Sequence, residues 1–372
     1  MKLHNGFKVF LMIISATIMS CNGQNMEDKF DWSATLSAPQ EYPIEVYKGE
    51  ISGEGYGQTL AHFGPVSVGW GNQGGAIVSG PDQKNLPDYL GLTWVSFAEK
   101  KVYSGQFTLP KEKITKLFKE GFGNPGTEKK STYNTFVIGL APKGNIVLWV
   151  AGDGNQVEVA KFSATETKID TASLSDEDKH MFTVKYVDYV VSDSMIVKPS
   201  VQEKIKRKGY PPVTLFTQTY EEKYHWAPKI ILPEGYKLAA WEVLMCNGEK
   251  EYMLNAENVQ SKNERALPYL LTFAYTDEAK NKYESFVVLS GDENYLPDLL
   301  KDGDAKKIPL DFEENEIRAL AKDKLDKNHP AELEIHADPQ KKILKIDFKQ
   351  QGTTLPIHQF KYLMNSYGSK YN

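Results

Sequence analysis

The chain has 372 residues, 41% hydrophobic and 25% charged, with a formal net charge of -5 at pH 7. This composition excludes wholesale disorder, and the acidic balance excludes a general nucleic-acid binder. Two cysteines exclude both a disulfide scaffold and a zinc site built on a cysteine cluster. The aromatic share of 12%, with 20 Tyr and 6 Trp, favours strands and half-buried sheet surfaces over a helical bundle.

Residues 1–20 read as a signal peptide: Lys2 and Lys8 precede an apolar run over 9–19 that is too short to cross a bilayer. The run ends in Ile18-Met19-Ser20-Cys21, which resembles the lipobox of bacterial lipoproteins. That resemblance implies that the Cys21 thiol takes a diacylglyceryl group as a thioether. The leader is then cut before Cys21, and the new amine takes a fatty acid such as palmitate. Several acyl chains hold a protein firmly where a single one is marginal. Residues 21–29 form a polar tether, and the absence of Asp after Cys21 points to the outer membrane.

The mature chain divides into a first unit over 30–197, a connection over 198–223 and a second unit over 224–372. In the first unit, strand patterns over 89–97 and 102–109 predict a hairpin. A helix over 111–122 opens after Pro110 with Ile114, Leu117 and Phe118 on one face. A second hairpin follows over 135–140 and 145–151, then a strand over 156–162. The connection carries the basic run 204–208, expected to be a solvated face, and Pro211-Pro212. The second unit repeats the order, with a hairpin over 269–275 and 283–289 and a helix over 313–327. A hairpin over 331–337 and 343–348 and a strand over 355–361 complete it. Tyr89, Leu90, Lys100 and Tyr103 match Tyr269, Leu270, Lys280 and Tyr283 at one offset, and Phe30-Asp31-Trp32 resembles Tyr224-His225-Trp226. The expected class is α+β: two tandem, mostly antiparallel β-sheet units, each with a helix, related by internal duplication.

The first unit also carries Gly69-Trp70-Gly71, Gly74-Gly75, Leu86-Pro87, Trp94-x-Ser96-x-x-Glu99-x-x-x-Tyr103 and Phe107-x-Leu109-Pro110. With the lipobox upstream, these residues resemble the uncharacterised bacterial lipoproteins of domain-of-unknown-function family 2931 over about residues 30–165. The resemblance brings no catalytic residue. Some members look like neighbours of contact-dependent secretion genes, which implies immunity to a toxin.

No local constellation of catalytic residues survives its plainer explanation. Gly69-x-Gly71-x-x-Gly74 has the letters of a dinucleotide loop, but a strand-like segment follows it where a helix is required. Glu332, Glu334 and His336 alternate along one strand and would share a face, as metal ligands could. Lys345, Asp347 and Lys349 on the facing strand explain the same letters as cross-strand charge pairing. The acidic clusters at 176–178, 292–293 and 302–304 lack calcium-loop spacing. Cys246 is expected to be buried and inert. Trp70, Trp94 and Tyr103 are the candidate aromatic binding surface, with core packing as the plainer explanation of the same residues. No metal or other cofactor is expected. The reading is an envelope-anchored, non-enzymatic binding or immunity module that meets the membrane through its lipid and recognises a protein or glycan. The competing class is an exported hydrolase whose site is assembled from sequence-distant residues.

Overall fold

The computed structural model describes residues 28–61, 63–75, 80–123, 130–254, 263–289 and 316–367. Cys21, the leader, the acidic clusters at 292–293 and 302–304 and the start of the second expected helix lie outside the described residues.

The chain is mostly β. The first half contributes β1 (Ser33–Ser37), β2 (Ile44–Gly53), β3 (Tyr56–Thr59), β4 (Tyr89–Ser96) and β5 (Lys101–Thr108). Helix α1 (Lys111–Glu120) follows, then β6 (Thr135–Ala141), β7 (Asn145–Gly152), β8 (Asn155–Ser163) and β9 (Thr165–Thr167). Helices α2 (Val184–Ser192) and α3 (Pro199–Lys208) lead to the second half. That half comprises β10 (Lys223–Ile231), β11 (Tyr236–Met245), β12 (Lys250–Leu254), β13 (Pro268–Asp277) and β14 (Lys282–Val288). It ends with α4 (Glu316–Lys324), β15 (Ala331–Asp338), β16 (Ile343–Gln350), β17 (Thr353–Ile357) and β18 (Lys361–Tyr367).

Alternation explains the strands. In β4, Leu90, Leu92 and Trp94 point inward and are buried, while Tyr89, Gly91 and Thr93 occupy the opposite, partly exposed face. Helix α1 buries Ile114 and Phe118 one turn apart. It stops two residues before the expected end because Gly121 takes φ +55, outside the helical region.

The strands form a five-stranded sheet ordered β9-β5-β4-β2-β3 and a nine-stranded sheet ordered β1-β6-β7-β8-β12-β11-β13-β14-β18. A third sheet runs β10-β15-β16-β17, with Glu264–Ala266 on the free side of β10. Within the first half, the five-stranded sheet faces β1-β6-β7-β8 across a core of Leu90, Trp94, Phe136, Ile138 and Leu148. A second core holds the opposite face of β6 and β7 together with the second half.

The strand orders of the halves correspond position by position. β3-β2-β4-β5-β9 matches β12-β11-β13-β14-β18, and β1-β6-β7-β8 matches β10-β15-β16-β17. The first pair of each of these latter sets, β1 with β6 and β10 with β15, runs parallel. The non-glycine residues with left-handed φ fall at matching turns. Lys100 answers Lys280, Lys143 answers Lys342, and Asp153-Gly154 answers Gln351-Gly352. The last pair closes two-residue hairpins, in which both residues need positive φ. Trp32 Nε1 donates to Asn85 O at 3.0 Å and Trp226 Nε1 to Ala266 O at 3.2 Å, the same tie in each half.

Three expectations need correction. Each half holds two facing sheets rather than one, because the strands missed by hydrophobic pattern (β1, β2, β10, β11) complete them. The two halves share a sheet: β8 pairs with β12 at Gln156 and Lys250, joining them in one nine-stranded sheet. Residues 198–223 are folded, with Phe216 and Tyr220 buried in the core shared by the two halves. The last strand of the expected repeat is β17 and ends at Ile357, earlier than 361, with β18 separate from it.

Candidate functional site

The three aromatics expected on a binding surface are core residues. Trp70, Trp94 and Tyr103 are 2%, 0% and 3% exposed. Trp94 and Tyr103 are cross-strand partners on the inner face of β4 and β5, with ring centroids 5.5 Å apart. The Ser96-x-x-Glu99-x-x-x-Tyr103 pattern is a staple. Glu99 accepts from Ser96 Oγ at 2.8 Å, from Tyr103 Oη at 3.2 Å and from the Lys143 backbone N–H at 3.1 Å. It thereby ties the β4–β5 turn to the β6–β7 turn of the facing sheet. Burial first, and then the Glu99 charge, push the Tyr103 phenol well above its ordinary value. The group stays a neutral donor.

The glycine pattern is a close approach between the halves. Gly71 has φ +74, and a Cβ there would stand 2.3 Å from Gly248 Cα. Gln156 Nε2 donates to Gly71 O at 2.7 Å and to Gly248 O at 2.6 Å, and Trp70 packs edge-on against Trp149 at 5.0 Å. Gly74 N–H donates to Leu36 O, so the loop runs beside β1. Among the described residues no helix opens on this loop, as a pyrophosphate site would require.

Beside this contact lies a charged cluster drawn from distant residues. Lys161 Nζ reaches Glu221 at 2.6 Å and Glu158 at 3.2 Å, and Lys223 Nζ reaches Glu249 at 2.6 Å. Burial, and to a lesser extent the neighbouring Glu158, push the Glu221 carboxyl up to about 7 despite Lys161. Two carboxylates sharing one lysine are the kind of pair a hydrolase uses, but here they span β8 and the approach to β10 and help clasp the halves.

Glu332, Glu334 and His336 follow the pairing explanation. They face Lys349, Asp347 and Lys345 across β15 and β16. Glu334, 3% exposed, is met by Lys349 at 2.6 Å, Lys229 at 3.0 Å and His336 at 3.1 Å. Burial works against its charge, yet these three hydrogen bonds hold it down at about 2. Among the described residues, no group of three or more His, Cys, Asp and Glu is placed to hold a metal ion. Cys246 is buried with its thiol pushed up to about 11 by desolvation, which suppresses the reactive thiolate.

A groove of about 460 Å³ lies on the outer face of the five-stranded sheet. Helix α2 and the turn before it cover one end of that face, packing Val187, Val190 and Met181 against Val95 and Phe97. Tyr47, edge-on to Phe182 at 5.4 Å, marks where the cover stops. Beyond it no described residue covers the face. Lys48, Glu50, Thr59 and Gln106 are exposed at its sides, and Thr93 Oγ1 and Ser104 Oγ share a 2.8 Å hydrogen bond on its floor. Tyr89 leans along the strand over Gly91: a Cβ at Gly91 would meet the phenol oxygen at 2.5 Å and ring Cζ at 3.0 Å. The sequence reading missed this groove. A glycine inside a strand otherwise rich in large residues was its one signal, since such a glycine marks a close approach.

A family model described as proteins of unknown function (DUF2931) matches residues 20–212. The chain belongs to the DUF2931 family. The match contains the Glu99 staple, the Gly-Trp-Gly loop and every residue that lines the groove, and it ends before β10, so the second half lies outside it. No curated protein and no solved structure matches the chain.

Proposed function

We propose that this DUF2931 protein is a lipoprotein held at the outer membrane by an acylated Cys21. Its folded part is a non-enzymatic binding or immunity-type module that recognises a protein or glycan. The observation that carries this reading is the open groove: it presents side chains suited to contact, and among the described residues its lining contains one carboxylate, Glu50, and no His or Cys that could act as base or nucleophile. The hydrolase reading rests on Glu158 and Glu221, and their engagement with Lys161 at the clasp between the halves speaks against it. We read the halves as copies of one ancestral unit, a reading supported by the matching strand orders and left-handed turn positions.

Metabolic labelling with a clickable fatty acid tests the anchor. The full chain should be tagged and membrane-bound, and Cys21→Ser should lose both. An untagged, released wild type would end the lipoprotein reading. The same preparation, screened for turnover with and without divalent metal, should show none. Turnover abolished by Glu158→Gln or Glu221→Gln would move the protein to the hydrolase class.

A further inference from the structure

We propose that the groove over β2, β4 and β5 is a carbohydrate site that takes a neutral hexopyranose chain, with Tyr89 as its stacking platform. The inference rests on the binding reading above and narrows it to one ligand class. Four observations lead to it.

The groove lies on a sheet face, not an edge. Over the groove β4 is paired on both sides and β5 is paired with β4 along its length, while the outer edge of β5 beyond Ser104 has no ladder partner among the described residues. An extended peptide is read chiefly by strand addition at an edge, so a ligand lying on the face itself is read by side chains. A sugar, rich in hydroxyls along its whole length, is suited to that.

Tyr89 reaches along the strand over Gly91 and is partly exposed. The absent side chain of Gly91 leaves the phenol room there. The apolar C–H face of a pyranose matches an aromatic ring, because its weakly positive hydrogens meet the negative face of the ring.

The polar groups around the platform remain available. The Glu50 carboxylate, the Gln106 carboxamide and the Tyr89 hydroxyl make no hydrogen bond to any described residue. Thr93 and Ser104 spend one hydroxyl proton on each other and keep the second, together with spare lone pairs. Donors and acceptors thus alternate over the floor and walls, as vicinal hydroxyls require.

Charge selects a neutral chain. Lys48 and Glu50 are the charged groups of the lining, one of each sign. An anionic polysaccharide would meet Glu50 without a compensating excess of cations.

The test uses the full-length lipoprotein in an amine-oxide detergent, which carries no sugar head group. Maltohexaose, cellohexaose and chitohexaose are titrated by calorimetry and by saturation-transfer NMR, beside a heparin hexasaccharide. At least one neutral hexasaccharide should bind, with strongest transfer to its ring C–H protons. Tyr89→Ala and Gly91→Ala should each weaken it tenfold or more, the latter by displacing the ring. Gln106→Ala, at an exposed position, should weaken it several-fold with an unchanged melting temperature. Tyr189→Ala, on the exposed side of α2, should leave binding as it was. Binding restricted to heparin, binding indifferent to Tyr89→Ala and Gln106→Ala, or no binding by any neutral hexasaccharide would each overturn the site. A protein captured from envelope extract equally by wild type and Tyr89→Ala would overturn it while leaving the binding reading standing.

Discussion

Glu334 is buried and Glu221 half-buried, and both are met by lysine, yet their carboxyls are displaced in opposite directions. Glu334 has three donors and is held at about 2, whereas Glu221 shares Lys161 with a second carboxylate and sits at about 7, against an ordinary 4.5. The two displacements act on stability in different pH windows. A lowered carboxyl stabilises the fold above pH 4.5, and that contribution disappears as pH falls towards 2. A raised carboxyl does the reverse: its contribution is complete below pH 4.5 and is lost as pH climbs to 7. Each displacement corresponds to about 3 kcal/mol at most. Denaturant midpoints across pH 3–8 should therefore fall at both ends for the wild type. Glu221→Gln should flatten the loss between 4.5 and 7. Glu334→Gln should destabilise the protein by about 2 kcal/mol at pH 7 and flatten the acid side. Profiles for the variants that parallel the wild type would contradict these assignments.

Among the elements, the β4–β5 hairpin has the most to do. Its inner face supplies Leu90, Trp94 and Tyr103 to the core, its outer face supplies Tyr89, Thr93 and Ser104 to the groove, and its turn carries Glu99. Three donors from two turns converge on that carboxylate. Glu99→Ala leaves the buried Tyr103 hydroxyl unpaired and should cost about 2 kcal/mol. The Lys143 amide, which loses its acceptor, should exchange with solvent faster by hydrogen-exchange measurement. An unchanged Lys143 amide would show that the staple does not hold the two turns together.

At the scale of the whole molecule, the halves depend on one another through the far face of β6 and β7. Trp70, Val137, Val147 and Trp149 are buried in the same core as Phe216, Trp241 and Phe273. A chain cut after residue 212, where the family match ends, would turn the first four out to water. Such a chain should bind a hydrophobic dye strongly and self-associate in size-exclusion chromatography. A dye-silent monomer would mean that the first half is autonomous and the shared core incidental.

Alternation and punctuation are local, and the sequence alone determined what depends on them. These were the predominance of β, four hairpins, helix α1, the order hairpin, helix, hairpin, strand within each half, the pairing of Glu332, Glu334 and His336 with the facing strand, and the burial of Cys246. The lipobox reading of Cys21 is as local, and it rests on sequence alone. Strands β1 and β10 pair in parallel with a neighbour and β2 and β11 carry bulges, and both features break the clean alternation that marks a hairpin. Only tertiary structure decided which face of a strand meets which neighbour. It turned Trp70, Trp94 and Tyr103 inward, joined the halves edge to edge through Gln156 and Lys250, and set Tyr89 over Gly91 in the lining of a groove. An aromatic residue reads alike in a core and in a binding site, and what distinguishes them is the second layer that covers one face of a sheet and leaves the other open.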